Sequence, residues 1–347
     1  MSIEPNEIAT EVLAIDPEHP EPEILARASE CLHRGQVVAF PTETVYGLGA
    51  NALDSAAVAE IFRAKGRPTR NPLIVHVADL SQLAEVVASW PVLAQKLAER
   101  FWPGPLTMIL PKAPGISELV TAGGPTVGVR MPAHPVASRL IQVSGLPLAA
   151  PSANRSMELS PTRAAHVLES LGGRIPLILD GGKTPAGIES TVIDLTTEPP
   201  TLLRPGPILP ALLESIIGPV RQSRPVAPHP ENPGCGATGP LRSPGMLARH
   251  YAPRTPLICV RSIAELPQSA EGRLGLVVIG TPVEVVPPHF AEQRYLPGKG
   301  DECAAVLYDT LHELDHLNLY QIVVVLPPDT EEWIAIRDRL NRAATKE

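Results

Sequence analysis

Apolar residues recur at helical spacing through Ile24, Leu25, Ala28 and Leu32, so residues 22–34 predict an amphipathic helix. Gly35 ends it, and the apolar run 36–40 predicts a short strand leading into Pro41. A second helix is expected over 55–64. Residues 73–77 read as a strand broken only by His76, followed by helices over 81–90 and 92–101. Further strands are expected at 106–110, 126–130, 177–179, 191–195 and 202–204. Helix and strand patterns alternate without strict βαβ regularity, which predicts an α/β domain around a twisted, mixed sheet. Towards the C-terminus, apolar strand runs at 257–260, 274–279 and 322–326 are interleaved with helical spacing over 304–317 and 330–342. That is a small Rossmann-like domain with a parallel sheet. No GxGxxG follows its first strand, so a dinucleotide is not implied.

Proline separates the two patterns. The chain has 41 prolines in 347 residues, about 12% against a usual ~5%. Nine fall between Pro219 and Pro256, where no hydrophobic period survives. This stretch predicts a proline-stiffened linker, of a length that tends to be functional or disordered. The expected organisation is an acidic tail over 1–20, a first domain over 21–208, a linker over 209–255 and a second domain over 256–347. The formal charge is −8. Eight acids and one base lie between Met1 and Glu30, leaving the rest at −1, so a broad electrostatic nucleic-acid surface is not expected. Residues 1–18 are expected to be poorly ordered. Four scattered cysteines, the lack of a signal-peptide pattern and the lack of an apolar run near ~18 residues predict a cytoplasmic protein.

Arg63, Lys65, Arg67 and Arg70 place four cations in eight residues, interrupted by Gly66 and Pro68. An exposed surface is the plain reading of such a run; a cradle for phosphate or carboxylate is the functional one. Three other segments favour the cradle. Gly123-Gly-Pro-Thr-Val-Gly-Val-Arg130 sets a glycine-rich turn before a strand ending on arginine. Pro151-Ser-Ala-Asn154 follows an apolar run, and Glu189-Ser-Thr-Val192 opens a strand. Small hydroxyl residues at strand ends can serve a ligand in a sheet crevice, although each alone reads equally as a turn cap.

Pro41-Thr-Glu-Thr-Val-Tyr-Gly-Leu-Gly49, Lys65-Gly-Arg-Pro68, Asn71-Pro-Leu73, Phe101-Trp-Pro-Gly-Pro105, Pro151-Ser-Ala-Asn154, Ser190-Thr-Val192 and Arg204-Pro-Gly206 together resemble the motifs of a YrdC-like domain. Nearly everything after the acidic tail resembles the long, two-domain form of the threonylcarbamoyl-AMP synthases. The resemblance implies conversion of L-threonine, bicarbonate and ATP to threonylcarbamoyl-AMP and pyrophosphate, for N6-threonylcarbamoyladenosine beside the anticodon of tRNAs reading ANN codons. It implies threonine contacts from Thr44, His76, Arg130, Ala150 and Ser190, with Arg130 on the carboxylate and Ala150 acting through its backbone. It implies ATP contacts from Arg67, Asn71, Thr126, Ser152, Ser160, Arg204 and Tyr251. Lys65, by its chemistry, is assigned beside Arg67 to the phosphate or carbamate side. Asn154 is expected behind the site or in a turn. Magnesium is expected to travel with the ATP phosphates, without a dedicated protein site. Downstream tRNA threonylcarbamoyl-transfer machinery is the implied partner, with weak or transient tRNA contact and no membrane.

Taken alone, His76 in an apolar strand reads as a core histidine; the resemblance reverses that. Tyr251 lies in Ser243-Pro-Gly-Met-Leu-Ala-Arg-His-Tyr-Ala-Pro253, which matches the long form and suggests that the linker folds back over the cleft as a lid. His312-Glu-Leu-Asp-His316 mimics a zinc-peptidase helix, but no histidine follows to complete a site, so it reads as helix surface. Gly182-Lys-Thr184 mimics a P-loop end, but Leu177 stands where its first glycine belongs. An RNA-binding or regulatory module without turnover is the alternative from another class. Only 3% aromatic residues and the near-neutral body argue against it.

Overall fold

The computed structural model describes residues 8–223, 250–267, 272–280 and 288–345. Eleven strands form one mixed sheet. They are β1 (Glu11–Ala14), β2 (Val38–Phe40), β3 (Gly47–Asn51), β4 (Ile74–His76), β5 (Leu106–Pro111), β6 (Thr126–Arg130), β7 (Leu148–Ala149), β8 (Leu177–Asp180), β9 (Thr191–Asp194), β10 (Thr201–Arg204) and β11 (Arg221–Gln222). Their order is β1-β8-β2-β3-β7-β4-β6-β5-β9-β10-β11. The second sheet, β12 (Leu257–Val260), β13 (Leu274–Ile279), β14 (Phe290–Leu296) and β15 (Gln321–Val325), is ordered β12-β15-β13-β14 with every pairing parallel. Both sheets bear out the expected fold class. Among the described residues no helix is long and apolar enough to cross a membrane.

Differences from the expected boundaries have local causes. Glu11–Ala14 pairs with β8 in parallel, and Thr10 Oγ1 donates to the Ile175 carbonyl at 2.6 Å, so this part of the acidic segment is ordered rather than a loose tail. At the other edge β11 pairs with β10. The sheet therefore takes in residues on both sides of the expected 21–208. The helix expected over 81–90 is only a 3₁₀ turn at Leu80–Gln82 and a short helix at Leu83–Val86. Val87 turns extended and bridges Lys112, so a tertiary pairing ends the helix early.

The helix Gly300–Asp315 docks the second sheet onto the first domain. Leu307, Tyr308 and Leu311 share one apolar cluster with Val45, Leu159, Ile188 and Tyr251. A Cβ on Gly187 would stand 2.3 Å from the Ala304 carbonyl oxygen, so only glycine admits this approach. Polar contacts ring the cluster. Asp309 accepts from Arg163 Nε and Lys183 Nζ at 2.8 Å each. Burial resists its ionisation, but these cations outweigh that and hold its carboxyl below the usual range.

His312 and His316 are part of this interface, not free helix surface. A ring nitrogen of His312 lies 3.2 Å from the Ser160 carbonyl and its ring stacks on His166, while His316 meets Glu169 at 2.7 Å. The zinc-peptidase likeness is thus spent on domain docking. Asp180-Gly-Gly182 is a turn after β8, with Gly182 at φ 81° and its N–H donating to Asp180 at 3.0 Å.

Candidate active site

Strand alternation sets the floor of the site. β4 and β6 pair Ile74 with Gly128, Val75 with Val129 and His76 with Arg130. Val75 and Val129 point into the main core, so His76 and Arg130 emerge together on the opposite face. There they line a cleft with Thr44, Arg67, Ala150, Ser152, Ser190, Arg204, His250 and Tyr251 among others. Its empty volume, open mouth included, is about 520 Å³.

At one end, Arg130 Nη1 donates to Thr44 Oγ1 at 3.0 Å and Nε to the Gly104 carbonyl at 3.3 Å. Its Nη2 lies 2.7 Å from Glu43 Oε1. Thr42 donates to the Val45 carbonyl at 2.7 Å, which leaves the Thr44 hydroxyl proton for Thr42 Oγ1 at 2.8 Å. The loop between β2 and β3 thereby fixes the guanidinium from both sides. Burial, reinforced by the Arg130 charge, pushes His76 down to about 3, so its imidazole is neutral.

At the other end, Arg204 Nε and Nη2 donate to the Ser190 carbonyl and hydroxyl, each at 3.0 Å. Ser190 Oγ is 2.8 Å from Thr107 Oγ1. A Cβ on Gly206 would stand 2.4 Å from Thr191 N, so glycine is required where the Arg204 turn crosses the Ser190 backbone. Arg67 follows the helix Ser55–Lys65, which closes on Gly66 at φ 59°. Its Nε and Nη2 donate to the carbonyls of Asn71 at 3.1 Å and Pro72 at 2.9 Å. Carbonyl oxygens orient this cation without neutralising it, and burial lowers it to about 10.

Three buried atoms of the lining have no hydrogen-bond partner in the protein, His76 Nδ1, His250 Nδ1 and Tyr251 OH, and so do both polar atoms of the Asn71 side chain, which stands outside the lining. Unsatisfied groups concentrated at one place are the complement of a polar ligand. Tyr251 takes φ 61°, held by Ala252 N–H donating to the Met157 carbonyl at 3.0 Å and His250 N–H to the Arg342 carbonyl at 3.1 Å. This end of the expected lid reaches the cleft; residues 224–249 of the linker lie outside the described residues.

Not every expected residue lines the cleft. The Lys65 ammonium donates to the carbonyls of Ser152, at 2.5 Å, and Asn154, bracing the Ser152 loop from behind. Burial, with Arg67 nearby, lowers its pKa well below the usual lysine range. Ser160 gives its proton to Glu189 at 2.5 Å. Thr126 stands at the opposite end of β6 from Arg130, about 13 Å along the strand. Asn154 is a turn residue, donating to the Arg155 and Glu158 carbonyls at 2.9 Å each.

Sequence reasoning missed Glu43, Glu189 and His250, each adjacent to a residue it named and carried in the same motif. It also missed Tyr308 and Arg339, which reach Glu189 from the second domain. No local pattern marks those two: Arg339 sits in an ordinary amphipathic helix, Ile334–Ala343.

Comparisons with known proteins agree over most of the chain. Residues 30–206 match the family described as "Telomere recombination", the Sua5/YciO/YrdC family, and residues 210–345 match "Threonylcarbamoyl-AMP synthase, C-terminal domain". The threonylcarbamoyl-AMP synthase of Bacillus subtilis is 44% identical over 92% of this chain and 92% of its own length. That of Pyrococcus abyssi is also 44% identical, over 91% of this chain and 93% of its own. The crystal structure of the Pyrococcus abyssi Sua5 protein complexed with L-threonine superposes with a TM-score of 0.83 at 38% identity, covering 96% of this chain and 98% of that one.

Proposed function

The chain belongs to the two-domain threonylcarbamoyl-AMP synthase family, and we propose that its cleft joins L-threonine, bicarbonate and ATP into threonylcarbamoyl-AMP with release of pyrophosphate and water. One observation carries this reading: three arginines, Arg67, Arg130 and Arg204, each no more than 7% exposed, converge on a single cleft. Substrates with a carboxylate, a carbamate and a triphosphate supply the anions such a site needs.

The neutral amine of threonine attacks the bicarbonate carbon, giving a carbamate and water. A carbamate oxygen then attacks the α-phosphorus of ATP; the bond from that phosphorus to the bridging oxygen breaks and pyrophosphate leaves. No covalent enzyme intermediate is needed, so the residues act by positioning and charge. Arg130, held by Thr44 and Gly104, takes the threonine carboxylate, with the neutral His76, the Ala150 backbone and Ser190 around the rest of that substrate. Arg67, Asn71, Ser152, Arg204 and Tyr251 take the nucleotide, with Asn71 and Tyr251 supplying the polar atoms now unpartnered. Asn71, Thr126 and Ser160, expected on the nucleotide, all stand outside the lining. Lys65 serves by holding the Ser152 loop. Magnesium enters with the ATP phosphates. The product feeds N6-threonylcarbamoyladenosine formation in tRNAs reading ANN codons, in the cytoplasm, through a separate transfer machinery.

Incubating the purified protein with ATP, magnesium, L-threonine and bicarbonate, without tRNA, tests this by mass spectrometry. Threonylcarbamoyl-AMP that requires both threonine and bicarbonate and vanishes in Arg67→Ala is expected. Folded protein that yields no adenylate but binds RNA with a steep salt dependence would replace the synthase by an RNA-binding module.

A further inference from the structure

Arg339 belongs to the second domain, yet it is 1% exposed and its contacts run into the first. Its Nε donates to Glu189 Oε2 at 2.6 Å and its Nη2 to the Pro205 carbonyl at 3.0 Å. The guanidinium carbon stands 5.1 Å from the centroid of the Tyr251 ring, close enough for a cation–π contact. Nη1 is kept in place by Asp338 at 2.8 Å. Around the same carboxylate, Ser160 donates to Glu189 Oε1, and Tyr308 OH lies 3.3 Å from both oxygens.

The three groups that Arg339 touches, Glu189, Pro205 and the linker residue Tyr251, each lie in or beside the cleft lining. Glu189 precedes Ser190, Pro205 follows Arg204, and Tyr251 itself lines the cleft. Arg204 in turn bonds the carbonyl and hydroxyl of Ser190. A buried ion pair alone is seldom worth more than a hydrophobic replacement. This one pins three parts of one cleft end at once, and only a planar fork reaches two acceptors while stacking on a ring.

We propose that Arg339 is a positioning residue for the nucleotide: from the second domain it clamps Glu189, Pro205 and Tyr251 so that the Ser190–Arg204 end of the cleft is set for ATP. The inference rests on the ATP reading given above. The second domain thereby contributes to ATP affinity through one side chain as well as by packing.

The test uses the full chain as Arg339→Met, Arg339→Lys and the double variant Glu189→Gln/Arg339→Met, with Arg163→Ala as a control. Arg163 pairs with Asp309 across the same domain interface but away from the cleft. Thermal unfolding, calorimetric binding of a non-hydrolysable ATP analogue, and KM and kcat for each substrate are measured. Arg339→Met is expected to weaken the analogue and raise the ATP KM about 10- to 100-fold, with the threonine KM within about twofold of wild type. Lysine restores charge without the fork, so Arg339→Lys stays nearer Arg339→Met than wild type. The double variant, with no unpaired carboxylate, regains the wild-type unfolding midpoint but not the ATP affinity.

A double variant that is stable and binds the analogue as wild type does would overturn the proposal. So would a threonine KM that rises as far as the ATP KM, or an Arg163→Ala control as weak for ATP as Arg339→Met. Wild-type protein that binds the analogue but makes no threonylcarbamoyl-AMP would sink the synthase reading alone; the affinities of the variants would still decide the role of Arg339.

Discussion

The Arg130 end of the cleft and its Arg204 end are built on different plans. Arg130 is held by Thr44, Gly104 and Glu43, all from the first domain and all from motif loops that adjoin its sheet. Arg204 holds Ser190, but the backbone on either side of that bond is gripped by Arg339 through Glu189 and Pro205. One end is thus complete within a single sheet. The other depends on a helix more than a hundred residues away, so separate perturbations should move the two ends independently.

The largest expected effect comes from Arg130→Ala. It strips the cation from Glu43, whose side chain is largely buried, and loss of one partner from a buried pair costs about 3–5 kcal/mol. Urea unfolding at pH 7 should show that loss, and initial rates should show the threonine KM rising far more than the ATP KM. Equal rises would mean that the two ends are not separable.

Two glycines sharpen the contrast. Gly206→Ala puts a methyl group against the Ser190–Thr191 backbone, and Gly187→Ala puts one against Ala304 and Ala305 of the docking helix. Overpacking of this kind costs about 1–3 kcal/mol, with positive φ at Gly187 adding strain. Gly206→Ala should impair use of both substrates, because it displaces Ser190, assigned to threonine, together with Arg204, assigned to ATP. Gly187→Ala should raise the ATP KM and leave the threonine KM nearly unchanged. Steady-state kinetics beside thermal unfolding would read both.

Acid distinguishes the buried floor from an ordinary surface. His76 is held at about 3 in the folded protein, below its unfolded value of roughly 6.5. Between those values the unfolded chain binds the extra proton, so stability rises with pH, is complete above the unfolded value and is lost as pH falls through this window. The slope is about 1.4 kcal/mol per pH unit for one such group. His76→Gln should flatten the stability profile between pH 6 and 4 in denaturant titrations, wherever the neutral side chain still packs. His166 at the domain interface, lowered to about 4 by burial and by the His312 ring beside it, acts with the same sign over a narrower window.

The smallest effect is expected from Arg163→Ala. Its side chain is about half exposed and Lys183 also bonds Asp309, so the cost should stay below about 1 kcal/mol. A larger drop in the unfolding midpoint would mark the domain interface as more brittle than its packing suggests.

Much of this was legible in the chain. The pattern at Thr126–Arg130, Leu257–Val260 and Leu274–Ile279 predicts strands with the bounds the structure has, because these apolar runs end abruptly at polar or turn residues. Thr44, His76, Arg130, Ala150 and Ser190 were named together from motif likeness and do line one cleft. The edge strands Glu11–Ala14 and Arg221–Gln222 were missed, since exposed edge positions carry no hydrophobic period. The chemistry of Lys65 points to the phosphate or carbamate side, yet its ammonium is taken by two backbone carbonyls that local sequence does not bring near.

What the sequence determined by itself was local or motif-borne: where helices and strands run, that the chain has two α/β units, and which loops carry cations and small hydroxyls. Periodicity and turn chemistry act over a few residues, so they are written in a few residues. Which atoms those groups meet was decided by tertiary structure. The bond from Arg339 to Glu189 spans 150 positions, and Val75 and His76 part to opposite faces because of the sheet they join. Burial then sets the charge: it keeps His76 neutral and leaves Arg67 a cation oriented by carbonyl oxygens, and no stretch of sequence carries the low dielectric that does this.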